Sequence, residues 1–66
     1  MTTTEHLERI KQKCVELVAK YPLCESTAGW RSNIAAIEFI YECEDDGYKT
    51  DSLSQDIIAA WPEELL

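Results

Sequence analysis

The sequence predicts an all-α fold, a small three-helix bundle with helices at about residues 4–20, 28–46 and 52–60. Two observations support this prediction. Apolar residues recur at alternating steps of three and four along each segment, which places them on one side of a helix. Proline or glycine then interrupts each pattern, at Pro22, Gly47 and Pro62. The 66 residues suffice for one domain, 1–66, whose small core makes pairing with a partner or a second copy a natural supplement to its stability.

The first helix is predicted from its start, its apolar side and its end. Thr2 and Glu5 have the spacing of a capping box, and Thr4 is an equally good cap. Pro22 disfavours helical geometry at the residue before it and ends the helix. The apolar side consists of Leu7, Ile10, Cys14, Leu17, Val18 and Tyr21. Cys14 is therefore expected to be a small buried hydrophobic residue.

The second helix has an unusually wide apolar side. Its central positions are Trp30, Ile34, Ile37 and Tyr41, and it is widened by Ala36, Phe39, Ile40 and Cys43. This width exceeds the ~100° expected for a helix that covers one side of a core, so the helix should contact more than one neighbour. One hypothesis is that Trp30, Phe39 and Ile40 form a self-association surface, giving a helical homodimer that serves as a structural or assembly module.

The third helix is predicted from a second capping box, Ser52 with Gln55, before Leu53, Ile57, Ile58 and Trp61 at helical spacing. Beyond Pro62, the tail residues Leu65 and Leu66 either fold back on the core or remain available to a partner.

The tripeptide Asp51-Ser52-Leu53 resembles the one that carries the phosphopantetheine arm in acyl carrier proteins, which are also small, acidic and helical. In that family two further helices follow the serine, whereas here fourteen residues follow Ser52 and Pro62 interrupts them. We therefore interpret Ser52 as a helix cap and predict no cofactor.

The charge is divided unevenly along the chain. Of the net charge of −7, residues 1–31 contribute +1, whereas residues 32–66 contribute −8 from nine acidic side chains and Lys49. The leading hypothesis is a non-catalytic regulatory protein whose acidic second half docks on a basic surface of a partner protein, such as a protein that normally binds nucleic acid. The predicted docking residues are Glu38, Glu42, Glu44, Asp45, Asp46, Asp51 and Asp56. Small phage inhibitors of host nucleic-acid enzymes offer an analogy in composition.

Other functional classes are disfavoured by the same residues. The segment from Glu42 to Gly47 imitates the start of a calcium loop, but Leu53 stands where a bidentate carboxylate is needed, so we predict no metal site. His6, the one histidine, is expected at the surface, and no constellation predicts an enzyme. A helix-turn-helix regulator would place Ser52, Ser54 and Gln55 on DNA, but nine carboxylates oppose phosphate binding, so direct nucleic-acid binding is disfavoured.

The expected location is the cytoplasm. Cys14, Cys24 and Cys43 are odd in number and widely spaced, which favours reduced thiols. The longest uncharged stretch is far shorter than the ~18–20 residues of a membrane helix, and the first residues lack the pattern of a secretory signal, so no membrane partner is predicted.

Overall fold

The computed structural model describes residues 2–66, which form three α-helices and a short 3₁₀ turn. Their bounds are α1 Thr3–Lys20, α2 Thr27–Asp45, α3 Asp51–Ala60 and the 3₁₀ turn Glu63–Leu65. The predicted all-α three-helix bundle is confirmed, with each boundary within one residue of its predicted place. The described part of the chain is flat, measuring 36 × 24 × 15 Å, and α1 and α2 share the most extensive helix contact. Within this part, no helix is both long and apolar enough to cross a membrane.

Local signals explain how α1 begins and ends. Thr2 is the N-cap, and its Oγ1 accepts a hydrogen bond from the backbone N–H of Glu5 at 3.1 Å. This bond satisfies one of the N–H groups that a helix start leaves unpaired, and it is one of the two hydrogen bonds of the predicted capping box. At the other end, Lys20 lies in the last turn, where a cation is favoured by the helix dipole.

The connection from α1 to α2 is fixed by one buried hydroxyl. Thr27, at the first position of α2, is 7% exposed, and its Oγ1 donates to the carbonyl oxygen of Tyr21 at 2.7 Å. Because Tyr21 ends α1, this bond joins the two helices directly. The rings of Tyr21 and Trp30 lie 6.3 Å apart, which places a half-buried aromatic pair beside the same turn.

The predicted cap of α3 is wrong. The helix begins at Asp51, so the N-cap position belongs to Thr50 and Ser52 lies inside the first turn. A residue that already has helical geometry cannot cap the helix in which it lies. Asp51 takes over the favourable role at this end, because a carboxylate in the first turn is stabilised by the positive end of the helix dipole.

The core is contributed by all three helices. Among the described residues, the buried apolar side chains are Leu7, Ile10, Cys14, Ile37, Ile40 and Ile57. The prediction that Cys14 is a buried hydrophobic residue is confirmed. Burial raises the pKa of the Cys14 thiol, and a hydrogen bond with Asn33 opposes that rise. The flat shape of the bundle explains why so few side chains are completely enclosed.

The tail folds back on the bundle. Trp61 and Leu66 pack against the core, whereas Leu65 is 59% exposed. His6, which was predicted to be a surface side chain, is only partly exposed, and its Nε2 donates to the carbonyl oxygen of Trp61 at 2.9 Å. The start of α1 therefore holds the end of α3 in place.

A candidate protein-docking surface

The candidate site is built around the end of α2, where a glycine turns the chain. Gly47 has a φ of +86°, in the left-handed region that glycine adopts without strain. The N–H of Gly47 donates to the carbonyl oxygen of Glu44 at 3.0 Å, and the N–H of Tyr48 donates to the carbonyl oxygen of Cys43 at 2.8 Å. These two bonds form a Schellman motif, as the predicted glycine stop implies. The motif reverses the chain and places Tyr48 next to Cys43.

The structure brings four of the seven predicted docking residues together. Glu38, Glu42 and Asp45 follow one another at steps of four and three, so they lie on one face of α2. Asp46 follows at the C-cap and extends this charge around the helix end. All four are exposed. We call these four residues the acidic face.

The other three predicted residues lie apart from the acidic face. Glu44 lies on another side of α2, where its charge acts on the hydroxyl of Tyr41. Asp51 and Asp56 are exposed on α3, but they are five positions apart, which is about 140° around a helix. They therefore do not share one face of α3.

Ion pairing leaves the acidic face largely uncompensated. Within residues 2–66, the one ion pair joins Lys11 Nζ to Glu38 Oε1 at 3.7 Å, across the contact between α1 and α2. An exposed pair of this kind stabilises a protein by only about 0–1 kcal/mol. This single contact therefore does little to neutralise the four carboxylates.

A second link between α1 and α2 involves a carboxylate and a phenol. The Tyr41 hydroxyl donates to Glu8 Oε2 at 2.9 Å. Partial burial, this hydrogen bond and the charges of Glu8 and Glu44 raise the pKa of Tyr41 to about 12, in that order of importance. Each cause disfavours a tyrosinate beside carboxylates.

The raised pKa of Tyr41 is expected to be visible in an alkaline titration. Absorbance titration should show one tyrosine that ionises near pH 12, and Tyr41→Phe should lack that step. The pKa of Tyr41 in the folded protein lies above its ordinary value of 10.0. The contribution of the protonated Tyr41 hydroxyl to the stability of the fold is therefore complete below pH 10, and it is lost as the pH rises to about 12. Glu8→Gln should move the step to lower pH, and an unchanged step in Glu8→Gln would contradict the proposed cause.

The three residues of the predicted self-association surface have different environments. Ile40 is 0% exposed and belongs to the core, so its inclusion in a surface is wrong. Trp30 is partly buried and packs against the core beside Tyr21. Phe39 is 54% exposed and thus available for contacts with another molecule.

The sequence interpretation missed a groove between α2 and α3. It is open to solvent and has a volume of about 520 Å³. Its lining consists of Phe39 and Cys43 from α2, residues 51–53 at the start of α3, and residues 48–50 between the two helices. We call it the α2–α3 groove. Tyr48, which is 68% exposed, belongs to this lining and has no place in the predicted docking residues. The signal for its role was present, because the residue after the glycine of a Schellman motif often makes an apolar contact with the preceding helix.

Two alternative chemistries find little support at this site. Ser54, one of the residues that a helix-turn-helix protein would place on DNA, is only 3% exposed. Across residues 2–66, no three or more His, Cys, Asp or Glu side chains are grouped so that they could hold a metal ion.

Comparison of the chain with family models, with characterised proteins and with solved structures found no match.

Proposed function

We propose that this chain is a non-catalytic regulatory protein that docks on a basic surface of a partner protein through its acidic face. The observation that carries the proposal is the concentration of carboxylates at the C-terminal end of α2, where three of the four residues of the acidic face lie. The last turn of that helix is Glu42-Cys43-Glu44-Asp45, and Asp46 caps it. Carbonyl groups make this end of a helix negative, so each carboxylate there costs roughly 0.3–1 kcal/mol of stability. A chain this small can spare little stability without a compensating use.

The nature of the partner follows from charge. Residues 38–56 hold seven acidic side chains and Lys49, a net charge of −6. A strongly negative surface attracts a positive one over long distances and accelerates the encounter. Basic surfaces of this extent are typical of proteins that bind nucleic acid, whose phosphates they neutralise. Occupation of such a surface by this chain would exclude the nucleic acid, and the expected effect is inhibition.

The second candidate function is a structural module that forms a homodimer through α2. The observation in its favour is the 54% exposure of Phe39 in the middle of a helix. A symmetric dimer places the same surface of each copy against the other. Self-association through Phe39 would therefore bring the acidic face of one copy close to that of the second, and this repulsion favours the docking function.

The docking proposal predicts opposite effects on stability and on binding for one variant. Asp45→Lys/Asp46→Lys should raise the free energy of unfolding by roughly 0.3–1 kcal/mol per site at low salt, because cations suit this helix end. The same variant should lose capture of the partner from a lysate. Capture by the unchanged protein should weaken as salt screens the charges. Urea denaturation measures the first effect, and affinity capture at low and high salt measures the second.

The matched control reverses two acidic residues elsewhere. Glu16 and Glu25 are exposed in the half of the chain with a net charge of +1, so Glu16→Lys/Glu25→Lys changes the total charge equally. This control should retain salt-sensitive capture. Equal loss in both variants would mean that net charge alone matters, and capture that ignores both salt and Asp45→Lys/Asp46→Lys would refute the proposal.

A further inference from the structure

The α2–α3 groove combines exposed aromatic side chains with an acidic border. Phe39 and Tyr48 are 54% and 68% exposed, and both line the groove. Aromatic side chains of this kind are enriched at protein interfaces, where they provide much of the binding energy. The groove is open to solvent along a volume of about 520 Å³, so these rings are accessible to another molecule.

One carboxylate lines the groove, and two more lie beside it on α2 and its C-cap. Glu42 and Asp46 follow Phe39 by three and seven residues, so they lie on the same side of α2 as its ring. Asp51 lines the groove at the start of α3. Lys49 balances Asp51 within the lining, so the negative excess comes from Glu42 and Asp46 beside the groove. An occupant that is apolar at its centre and cationic on its sides matches this arrangement.

The same charges argue against a second copy as the occupant. A symmetric dimer through the groove would place Glu42, Asp46 and Asp51 of each copy near the same residues of the other. Like charges brought together at an interface oppose association. A basic partner instead neutralises the border while its apolar side chains cover Phe39 and Tyr48.

We propose that the α2–α3 groove binds a basic amphipathic helix of the partner, whose large apolar side chains enter between Phe39, Cys43 and Leu53. This inference rests on the proposed docking function and adds a defined apolar contact to it. A helix laid in an apolar groove presents side chains at spacings of three and four residues and keeps its charged side chains at the edges. The acidic side chains attract the basic helix, and the apolar contacts in the groove determine which helix binds.

The test uses two cysteines of the chain as reporters. Cys43 lines the groove, Cys24 is exposed in the turn between α1 and α2, and Cys14 is buried. The probe is a synthetic peptide with leucines at helical spacing and lysines elsewhere, and polylysine of equal length is the control for charge. The leucine–lysine peptide should slow alkylation of Cys43 by about tenfold while Cys24 reacts at its usual rate, and polylysine should not.

Matched variants test the apolar contact. Phe39→Ala should weaken binding of the peptide by about tenfold or more, as expected for truncation of a central aromatic residue. Val15→Ala removes an apolar side chain of similar exposure, 49%, from α1 and should bind as the unchanged protein does. Equal protection of Cys43 by polylysine, unchanged binding by Phe39→Ala, or no binding of the peptide would each overturn the inference. Protection of Cys43 that grows with protein concentration alone would instead identify a second copy as the occupant and overturn it too.

The two proposals fail in different ways. Salt-sensitive capture that is lost in Asp45→Lys/Asp46→Lys but retained in Phe39→Ala would leave the docking function intact and remove the groove from it. Capture that is insensitive to salt and to the charge-reversed variant would refute the docking function, whatever the peptide does.

Discussion

Ile40→Ala is expected to lower the free energy of unfolding by about 2–5 kcal/mol, the range for truncation of a buried isoleucine to alanine. Ile40 is 0% exposed and lies in the core cluster. A chain of this length has a total stability of about 3–10 kcal/mol, on the basis of roughly 0.05–0.15 kcal/mol per residue. If the total lies at the lower end of this range, the substitution would remove most of the stability of the fold. Urea denaturation followed by far-ultraviolet circular dichroism measures the loss.

The adjacent residue provides the control. Phe39→Ala removes a larger side chain, but one that is 54% exposed and leaves no enclosed cavity. It should cost at most about 1 kcal/mol, as surface substitutions usually do. Equal losses at both positions would contradict the assignment of one to the core and the other to the surface.

The sequence did not predict this difference in burial between Phe39 and Ile40. Periodicity predicted a wide apolar side and hence more than one covering helix, and both Phe39 and Ile40 lay at its margin. The position of α3 decides which of the two residues is buried. That position depends on tertiary contacts, which no pattern of neighbouring residues predicts. α3 and α1 enclose Ile40 and leave Phe39 at the edge of the α2–α3 groove.

Helix boundaries were predictable because their causes are local. A threonine three residues before a glutamate, a proline after Tyr21 and a glycine at the end of α2 each act within one turn. The exception, Ser52, arose where two polar residues competed for the cap position and the helix began one residue earlier than expected. Such small displacements are common at helix ends, where the energy differences among candidate caps are small.

The candidate site was predictable in charge but not in geometry. The excess of carboxylates after residue 31 is a property of the sequence, and so is the spacing that puts Glu38, Glu42 and Asp45 on one face. The residues with which these acidic side chains pair cannot be read from the sequence. Glu38 pairs with Lys11 and Tyr41 pairs with Glu8, and both contacts join residues more than twenty-five positions apart. Long-range pairs of this kind decide which acidic side chains remain available to a partner.

Trp61→Ala is expected to cost about 2 kcal/mol, less than the roughly 3–5 kcal/mol for a fully buried tryptophan, because Trp61 is only partly buried. The substitution isolates packing from hydrogen bonding. His6 donates to the backbone oxygen of Trp61, and alanine provides the same acceptor. Far-ultraviolet circular dichroism suits the measurement, because the variant removes one of the two tryptophans and would alter fluorescence.

Leu65→Ala is the matched control, because Leu65 lies in the same tail and is 59% exposed. It should leave the free energy of unfolding within about 0.5 kcal/mol of its original value. A large loss in Trp61→Ala with little in Leu65→Ala assigns Trp61 to the core, as its packing indicates. If Trp61→Ala instead kept its stability and lost capture of the partner, the end of the chain would belong to the docking surface, because removal of a side chain that supports only the fold cannot weaken binding while the fold remains intact.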